Sequence, residues 1–369
     1  MKNIFLFVAL LLLQACSAPK LTVEVNNETR FTRAHETVEI AWSEIATLKG
    51  VTPKNVIVTE DAKQIPSQVI YHGQDTPQSL IFQANVDTLS QRTYIITIGE
   101  REAYPTKVFG RYVPERKDDY AWENDKIAYR LYGPALESEL SAPGIDVWLK
   151  STDRLILDER YAKNDYHHDH GDGMDCYKVG PTLGAGASAP YLNDTLWLSH
   201  NYATQQTLDN GPIRTTVKLT YSAFNAAGIQ VSLTKYISLD AYSRFNRMEN
   251  VYTGDFEILP VAAGFVRHDV KDVVMGPEWL MMFEAASDTD DPVRDGDIYL
   301  GIILPGAEFL RDASNHALAL TTVEKDKPMV YYVGSGWSQG GIENVAMWID
   351  TLIEQTAAVV TPLQVKVVR

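Results

Sequence analysis

Short segments in which apolar and polar residues alternate follow one another along most of the chain. Val38, Ile40 and Trp42 share one side of such a segment, and Glu39 and Ala41 share the other. A period of two residues is typical of a β-strand with one buried face. Within the first hundred residues the pattern predicts six short strands, over 21–25, 38–42, 56–59, 68–71, 80–84 and 94–98. Six short strands separated by turn residues favour a small β-sandwich of immunoglobulin-like size.

Longer strands are predicted after residue 122. Val217, Leu219 and Tyr221 alternate with Lys218 and Thr220. The same pattern predicts strands over 126–131, 145–149, 214–224, 229–238, 245–252, 329–333 and 363–368, with short helices over 276–286 and 342–356. We therefore predict an all-β protein, with a small sandwich over residues 22–108 and a large antiparallel β-sandwich over residues 109–369. The large sandwich is expected to be a super-sandwich of the galactose-mutarotase-like type.

The N-terminus combines Lys2 with an apolar run from Ile4 to Leu13 that is too short to cross a bilayer. The run ends in Leu-Gln-Ala-Cys, which resembles a bacterial lipoprotein cleavage box. We predict a signal peptide over residues 1–16, lipidation of Cys16 and a tether over residues 17–21, with plain secretion as the alternative. The protein would then contact a membrane only through its lipid. We expect it in the periplasm on the outer membrane rather than at the cell surface, because no acidic run follows Cys16.

Composition narrows the classes of partner. The chain has 369 residues, with 33 Lys and Arg against 48 Asp and Glu, a net charge of −15. Because binding to phosphates needs positive surface, nucleic acid is not an expected partner. With Cys16 lipidated, Cys176 has no partner, so neither a disulfide nor a zinc site built on paired thiolates is expected. The 19 Tyr and 7 Trp exceed the 11 Phe, which suits sugar-binding grooves and β-sheets equally.

One segment, residues 164–186, differs in composition from the rest. It reads NDYHHDHGDGMDCYKVGPTLGAG and holds three of the eight histidines among aspartates and glycines. Such a glycine-rich stretch is predicted to be an irregular loop, and loops on a rigid sandwich often carry function. No nucleophile elbow, phosphate-binding loop or dinucleotide fingerprint occurs elsewhere in the chain.

This segment is open to three interpretations. In the first, His167 and His170 are general base and acid and Tyr177 is a second proton carrier. In the second, the side chains bind a divalent metal, with His167, His168, His170 and Asp172 as the ligands; no helical metal-binding spacing such as HExxH supports it. In the third, the segment is a solvated polar loop. No cofactor is firmly predicted, and a divalent metal is the one candidate.

Weaker candidates lie outside this loop. Arg116 belongs to a local basic cluster, Arg214 opens a strand, and Arg267 and His268 lie near a strand end. For each of these residues, as for Trp337, a packed or ion-paired structural position is a commoner interpretation than a binding site.

Three stretches together resemble a known family. They are YVPERKDDYAWENDKIAYRLYGPAL at 112–136, GIDVWLK at 144–150 and YHHDHGDGMDCYKVGPTLGAG at 166–186. They resemble a bacterial family labelled as a domain of unknown function and found in polysaccharide-utilisation loci of Bacteroidetes. The resemblance covers most of the chain from about residue 20. Within the motif, position 168 varies, so the resemblance places His167 and His170 before His168.

The resemblance implies an activity, because the family includes an oligosaccharide dehydratase of ulvan breakdown. Such an enzyme removes water from a saturated uronic acid at the non-reducing end and leaves a 4,5-unsaturated uronate. This β-elimination needs a base at C5, an acid for the 4-hydroxyl and a group that neutralises the carboxylate.

The residues of this chain supply candidates for each task. His167 or His170 is predicted to be the base, and Tyr177 the acid or partner base. Candidates for binding the substrate carboxylate are Arg116, Arg214 and Arg267, since a guanidinium can bind a carboxylate with two hydrogen bonds. His268 and Trp337 are assigned to substrate binding. The expected partner is an anionic oligosaccharide.

Three other functions stay open from the sequence. The same groups could expel a glycosidic oxygen, which would make the protein a polysaccharide lyase. A metal-assisted glycan hydrolase could use the His and Asp side chains of the loop. A glycan-binding lipoprotein without catalysis is the alternative from a different class.

Overall fold

Two β-sandwiches follow each other in the computed structural model, which describes residues 19–369. The predicted signal peptide, Cys16 and the first part of the tether lie outside the described residues. The first sandwich is built from β1 (Lys20–Asn26), β2 (Arg33–Ala41), α1 (Trp42–Ile45), β3 (Val56–Glu60), β4 (Lys63–Ile65), β5 (Ser67–Ile70), β6 (Ser79–Val86) and β7 (Gln91–Ile98). One sheet has the order β1-β7-β3-β4 and the other the order β2-β6-β5. Val23, Val56, Phe82 and Tyr94 are fully buried between them.

The second sandwich begins with an antiparallel sheet of five strands in the order β12-β11-β10-β9-β8. Its elements are β8 (Val108–Val113), β9 (Asp119–Asn124), β10 (Ile127–Leu131), β11 (Asp146–Lys150), α2 (Leu157–Lys163) and β12 (Gly173–Asp175). Two short 3-10 turns, Pro114–Arg116 and Pro134–Leu136, lie between these strands.

The remaining elements complete the large sandwich, except for the last strand, which joins β1 of the small sandwich. They are β13 (Ala185–Leu192), β14 (Thr195–Leu196), β15 (Thr204–Asn210), β16 (Arg214–Ala226), β17 (Ile229–Asp240), β18 (Phe245–Gly254), β19 (Ile258–Val266), β20 (Val270–Met275), β21 (Trp279–Ala285), α3 (Pro292–Asp295), β22 (Asp297–Ile303), β23 (Glu308–Ala313), β24 (His316–Glu324), β25 (Pro328–Trp337), α4 (Val345–Val360) and β26 (Gln364–Val368). An eight-stranded sheet has the order β15-β16-β17-β18-β25-β22-β21-β20, and a further sheet has the order β14-β13-β19-β24-β23. One continuous apolar core joins these two sheets to β8–β12.

Two-residue turns set the register of several hairpins. Between β16 and β17, Ala226 pairs with Ile229, and the two residues between them, Ala227 and Gly228, have φ angles of 52° and 92°. Positive φ at both central residues is the type I′ geometry, whose twist matches that of paired strands. The turn therefore aligns the whole long hairpin, including Val217 opposite Ile237.

Helix α4 covers the outer face of the eight-stranded sheet. The side chain of Asn344 accepts a hydrogen bond from the Met347 backbone N–H at 3.1 Å and so caps the helix. Trp348 and Leu352, four residues apart, are fully buried. The Trp348 ring stacks on Phe245 with 5.5 Å between centroids. The helix predicted over 342–356 is thus confirmed.

The helix predicted over 276–286 is wrong. Residues 279–285 form β21, in the interior of the eight-stranded sheet. Leu280 and Met282 face the main core, while Trp279 and Met281 face the cluster around α4. Because both faces are covered by apolar groups, the strand loses the alternation that would have revealed it.

The predicted all-β class, with a small sandwich before a large one, is confirmed. One strand needs a correction: β26, assigned from the sequence to the large sandwich, pairs with β1 of the small one, with Val365 opposite Val25. No helix within residues 19–369 is both long and apolar enough to cross a membrane.

Candidate functional site

Charged side chains are buried on one face of the sheet β12-β11-β10-β9-β8. Arg130 on β10 lies directly opposite Asp146 on β11. Asp119 from β9 and Asp175 from β12 join them, and all four residues are at most 2% exposed. The next residue along β10, Tyr129, belongs to the main core, because successive residues of a strand point to opposite faces. The face turned away from the core therefore carries a charge cluster.

The cluster is organised around one guanidinium. Nη2 of Arg130 lies 2.5 Å from Asp146 Oδ2 and 2.7 Å from Asp175 Oδ2, while Nη1 lies 3.9 Å from Asp119 Oδ2. The rings nearest the guanidinium carbon are Tyr132 at 5.0 Å, Trp148 at 5.0 Å and Tyr166 at 5.2 Å. Three carboxylates thus share one buried cation inside an aromatic cage.

Burial shifts the protonation of these carboxyl groups. It raises the pKa of Asp119 to about 6, against the opposing charges of Arg130 and Arg116. Burial also raises the pKa of Asp146 and, together with the charge of Asp146, the pKa of Asp175. Within the described residues, one carboxyl oxygen of each of the three has no hydrogen-bond partner. The cluster therefore retains protons at a pH where exposed carboxyl groups have lost them.

We predict that the difference in the free energy of unfolding between the wild type and Asp119→Asn depends on pH. A folded-state pKa near 6, against 3.8 in the unfolded chain, means that the folded protein binds more protons between these values, so this group lowers stability as the pH rises. The free energy of unfolding of the wild type should fall relative to that of Asp119→Asn by about 2 kcal/mol between pH 4 and pH 7. Denaturant unfolding at a series of pH values measures this difference, and parallel curves for the two proteins would contradict it.

The predicted irregular loop follows α2 and lies beside this charged face. Tyr161 of α2 donates a hydrogen bond to Asp119 Oδ2 at 3.3 Å. Oδ1 of Asp169 accepts hydrogen bonds from the backbone N–H groups of three following residues, Gly171, Asp172 and Gly173. Arg160 pairs with Asp172 and donates to the backbone oxygen of His168. These contacts give the loop a defined shape.

Two glycines of this loop offer a matched pair of substitutions. Gly173 has φ 116°, and an added Cβ would lie 2.0 Å from the Leu149 backbone oxygen, whereas Gly171 has φ 91° and open space around it. We expect Gly173→Ala to destabilise the protein by more than about 3 kcal/mol, since it combines backbone strain with a clash. Gly171→Ala should cost only about 1–2 kcal/mol, the cost of the left-handed conformation alone. Thermal or denaturant unfolding distinguishes them, and equal losses would show that the close contact with Leu149 is unimportant.

The three loop histidines have different surroundings. His167 Nδ1 lies 3.0 Å from the Asp175 backbone oxygen and 3.8 Å from its Oδ2, and the side chain is 49% exposed. His168 and His170 both turn to Asp165, at 2.6 Å and 3.2 Å from its carboxylate oxygens. Of the two predicted catalytic histidines, His167 therefore contacts the charge cluster and His170 does not. Because a carbonyl oxygen only accepts, Nδ1 of His167 carries the hydrogen and Nε2 is left as an acceptor.

A second group of side chains is formed by Tyr177, His268 and Glu284. His268 Nδ1 lies 2.6 Å from Oε1 of the fully buried Glu284. The His268 ring meets the Tyr177 ring edge-on with 5.3 Å between centroids. The carboxylate orients the imidazole and accepts its Nδ1 hydrogen, so Nε2 of His268 is free to take a proton. The His268 side chain is 18% exposed, which leaves it open to a ligand.

Tyr177 links the two groups. Its hydroxyl is buried and, within residues 19–369, has no hydrogen-bond partner. Burial raises the pKa of Tyr177 well above its usual value, and the charges of Glu284 and Asp146 raise it further. The phenol is therefore protonated at neutral pH, and its hydroxyl donates no hydrogen bond to another described residue. A buried hydroxyl without a partner calls for an explanation, and a role in catalysis is one that fits a hydroxyl beside an oriented histidine.

Arg116 borders the charge cluster and is 27% exposed. Its Nε donates to the Tyr166 hydroxyl at 3.3 Å, and the Tyr166 ring lies 4.8 Å from that of His167. Nη1 lies 3.7 Å from Asp119 Oδ1 and forms no hydrogen bond in the described part of the chain. Arg116 is thus a partly solvent-accessible cation near His167, with its buried Nη1 turned toward Asp119.

Three predicted binding residues, Arg214, Arg267 and Trp337, do not join the charge cluster or the group around Tyr177 and His268. Arg214 is held by Asp240 and Glu39, at 2.6 Å and 2.9 Å, where the two sandwiches meet. Arg267 donates to the Arg311 backbone oxygen beside β23. Trp337 is 1% exposed, and its indole N–H donates to the Asp295 backbone oxygen at 2.7 Å. A ring buried in the main core cannot stack on a sugar, and both guanidiniums are already engaged.

The set named for a divalent metal does not converge. His167 turns to Asp175, His168 and His170 turn to Asp165, and Asp172 pairs with Arg160. Among residues 19–369, no three His, Cys, Asp or Glu side chains are grouped closely enough to hold a metal ion. The loop aspartates hold histidines, backbone N–H groups and an arginine in this structure.

Sequence reasoning missed three residues that orient the site, Asp119, Asp146 and Glu284. It also did not identify Arg130 as the centre of the charge cluster. A local signal existed for two of them. Arg130 and Asp146 are single charges inside the short apolar strands IAYRL and IDVWL, and a charge within a buried strand needs a partner. No local signal pairs His268 with Glu284, which lies sixteen residues away on a neighbouring strand.

Fold and site together define a two-sandwich β-protein with an ion-pair cluster and an oriented histidine beside an irregular loop. A family model described as "Domain of unknown function (DUF4861)" matches residues 25–365, and the chain belongs to this family. It is 31% identical over 377 residues to "Uncharacterized protein P7" of Formosa agariphila, covering 94% of this chain and 93% of that protein. The predicted membership of a family of unknown function is confirmed.

Solved structures with a similar fold come from Enterococcus faecalis. The chain matches an alpha-mannosidase with a TM-score of 0.54 at 9% identity, and a protein of glycosyl hydrolase family 38 with a TM-score of 0.51 at 10% identity. Each match covers 95% of this chain but only 46% and 47% of those proteins, so the chain spans about half their length. At this level of identity the likeness describes the fold.

Proposed function

We propose that the protein is a carbohydrate-active enzyme that removes water from a saturated uronic acid at the non-reducing end of an oligosaccharide of the ulvan type. The observation that carries the proposal is the arrangement of Glu284, His268 and the unpartnered hydroxyl of Tyr177 beside the charge cluster. The family resemblance provides the substrate class. The fold likeness to proteins titled as an alpha-mannosidase and a family 38 glycosyl hydrolase is further support for a carbohydrate substrate.

His268 is the proposed base. Its Nδ1–H donates a hydrogen bond to Glu284 at 2.6 Å. The basic Nε2, on the other side of the ring, therefore points away from Glu284. The carboxylate also stabilises the imidazolium that forms when Nε2 takes the C5 proton. This assignment moves the base from His167 or His170 to His268, which the sequence analysis had given only a binding role. His167 is the second candidate, because its Nε2 is free and it lies beside Asp175.

Tyr177 is the proposed acid. Burial and two neighbouring carboxylates raise the pKa of its phenol, so the hydroxyl carries its proton at neutral pH and suits donation rather than abstraction. The electron pair of the C5–H bond forms the C4–C5 double bond, and the C4–O bond breaks. The leaving 4-hydroxyl takes the Tyr177 proton and departs as water, and solvent later moves a proton from His268 to the phenolate.

Arg116 is the proposed contact for the substrate carboxylate. The partial exposure of its side chain allows a charge-assisted hydrogen bond from the rest of the guanidinium, while the buried Nη1 faces Asp119. Neutralising this carboxylate makes the C5 hydrogen more acidic, because negative charge builds up beside it in the transition state. Arg130 is fully engaged by aspartates and is assigned to support of the site.

The experiment is an incubation of the purified protein with saturated uronyl oligosaccharides. Ultraviolet absorbance reports the conjugated 4,5-unsaturated uronate, and mass spectrometry reports the composition of the product. The proposal expects rising absorbance together with the loss of one water and no shortening of the chain. Rising absorbance with chain cleavage would identify a lyase instead. Cleavage without absorbance would identify a hydrolase, and loss of activity with chelator would add a metal. Binding without any change in mass would leave a glycan-binding protein.

We further propose that Cys16 carries a lipid that anchors the protein to the periplasmic face of the outer membrane. The support is the cleavage box at residues 13–16. Fractionation of cells that express Cys16→Ser tests this, since the variant should leave the membrane fraction. A variant that stays with the membrane would contradict the anchor.

A further inference from the structure

A cavity of about 650 Å³ lies where the small sandwich meets the large one. Residues 32–37 of the small sandwich form one wall, the segment from Asp240 to Arg247 forms another, and one side of α4 around Gln355 closes it. Its volume lies within the range of small-molecule sites. It shares no residue with the candidate active site described above.

The lining of this cavity is more cationic than the protein as a whole. Its charged residues are Arg33, Lys126, Arg214, Arg244 and Arg247 against Glu36, Asp240 and Glu354. Most of the cations are engaged: Arg33 with Glu36, Arg214 with Asp240, Lys126 with Asp125 and Arg247 with Glu249. In a chain with a net charge of −15, a surplus of cations around one cavity attracts anions.

Arg244 is the exception among these cations. Its Nη2 donates to the Gly340 backbone oxygen at 2.6 Å, and it has no ion pair with a carboxylate in the part of the chain that the structure describes. Burial lowers the pKa of Arg244, with the charges of Tyr129 and Asp125 opposing the shift. A half-buried guanidinium without a counter-ion has unused donors, and an anionic ligand would satisfy them.

An aromatic surface lines the same cavity. The rings of His35 and Tyr242 stack with centroids 3.9 Å apart and planes 16° from parallel. Both residues have left-handed backbones, with φ 52° and 66°. The Tyr242 backbone is fixed by a 2.7 Å hydrogen bond from its N–H to Asp125 Oδ1. Conformations of this kind are uncommon for side chains of this size and are frequent where a ring must be presented to a ligand.

We propose that this cavity is a second binding site, for an acidic mono- or disaccharide, in which Arg244 contacts the carboxylate or sulfate and the exposed ring of His35, stacked on Tyr242, supports the sugar ring. A cation, an aromatic ring and space for one or two sugar units meet there, and this combination matches an anionic sugar rather than a simple ion or an apolar ligand. The proposal goes beyond the proposed function, because it requires binding and no chemistry.

Calorimetric titration tests it. The probe is a uronyl disaccharide in which hydrogen replaces the 4-hydroxyl, so that no water can be eliminated and binding alone is measured. The wild type should show two binding events, one at each site. Arg244→Met should weaken one of them by about tenfold or more, because a charge-assisted hydrogen bond is lost. Tyr242→Asn should weaken the same event, since asparagine tolerates the left-handed backbone but lacks the ring on which His35 stacks.

Control variants separate binding in this cavity from binding elsewhere on the protein. Arg92→Met removes an exposed arginine of the small sandwich that pairs with Asp87, and should leave both events unchanged. Thermal unfolding establishes that each variant is folded. A single event that neither Arg244→Met nor Tyr242→Asn changes would overturn the proposal, as would the absence of binding to the wild type. Equal binding of the carboxyl-reduced disaccharide, or of inorganic sulfate alone, to this site would overturn the assignment to an acidic sugar.

Discussion

His268→Asn is expected to lower the rate of unsaturated-uronate formation by about 10²–10⁴-fold, the usual contribution of a positioned general base. Asparagine keeps a polar group near Glu284 but cannot take a proton. Glu284→Gln should also lower the rate, because the amide no longer stabilises the imidazolium and permits the other tautomer. The assay is the initial rate of the ultraviolet signal at saturating and at limiting substrate.

His170→Asn is the matched control for this substitution. His170 is a partly exposed histidine that turns to Asp165 and has no assigned role in the reaction, so its loss should leave the rate within about twofold. His167→Asn completes the comparison. A fully active His268→Asn protein beside an inactive His167→Asn protein would contradict the assignment and identify His167 as the base.

Arg130→Met is expected to be the most destabilising single change at the site. It leaves Asp146 and Asp175 buried without their cation, and breaking a buried pair in this way costs about 3–5 kcal/mol. The loss of stability relative to the wild type should become smaller as the pH falls. At lower pH the carboxyl groups of the folded variant are protonated, and protonation removes the uncompensated negative charge. Denaturant unfolding at pH 7 and pH 5 measures both effects.

Arg154→Met is the surface control for that measurement. Arg154 pairs with Glu159, and both side chains are more than 40% exposed, so its loss should cost less than about 1 kcal/mol at either pH. An Arg130→Met protein that is as stable as this control, or whose deficit grows on acidification, would contradict the role given to the cluster.

Much of the fold was predictable because many of its strands have one buried and one solvent-exposed face. The alternation in β2 and β16 and the two-residue turns give both the strands and their register. The same reasoning failed at β21, where α4 covers the second face and Met281 and Met282 are both buried. It also placed β26 in the large sandwich, because a sequence pattern identifies a strand but not its partner, which here is β1 at the other end of the chain.

The site was predictable in part. The density of His, Asp and Gly pointed to the loop that holds His167 and Tyr177, and a basic cluster included Arg116. The choice among the histidines depended on contacts between distant segments, namely Asp175 with His167 and Glu284 with His268. Local composition favoured His170 for the same reason that it favoured His167, although the side chain of His170 only holds the loop to Asp165.

The central claim is that the enzyme takes the C5 proton of a uronate, and a substrate deuterated at C5 tests it most directly. The account predicts that the unsaturated product lacks the deuterium, that it forms more slowly from the deuterated substrate, and that His268→Asn lowers its rate of formation by about 10²–10⁴-fold. A product that forms at the same rate and still carries deuterium at C5 would contradict the account and indicate chemistry at the glycosidic bond.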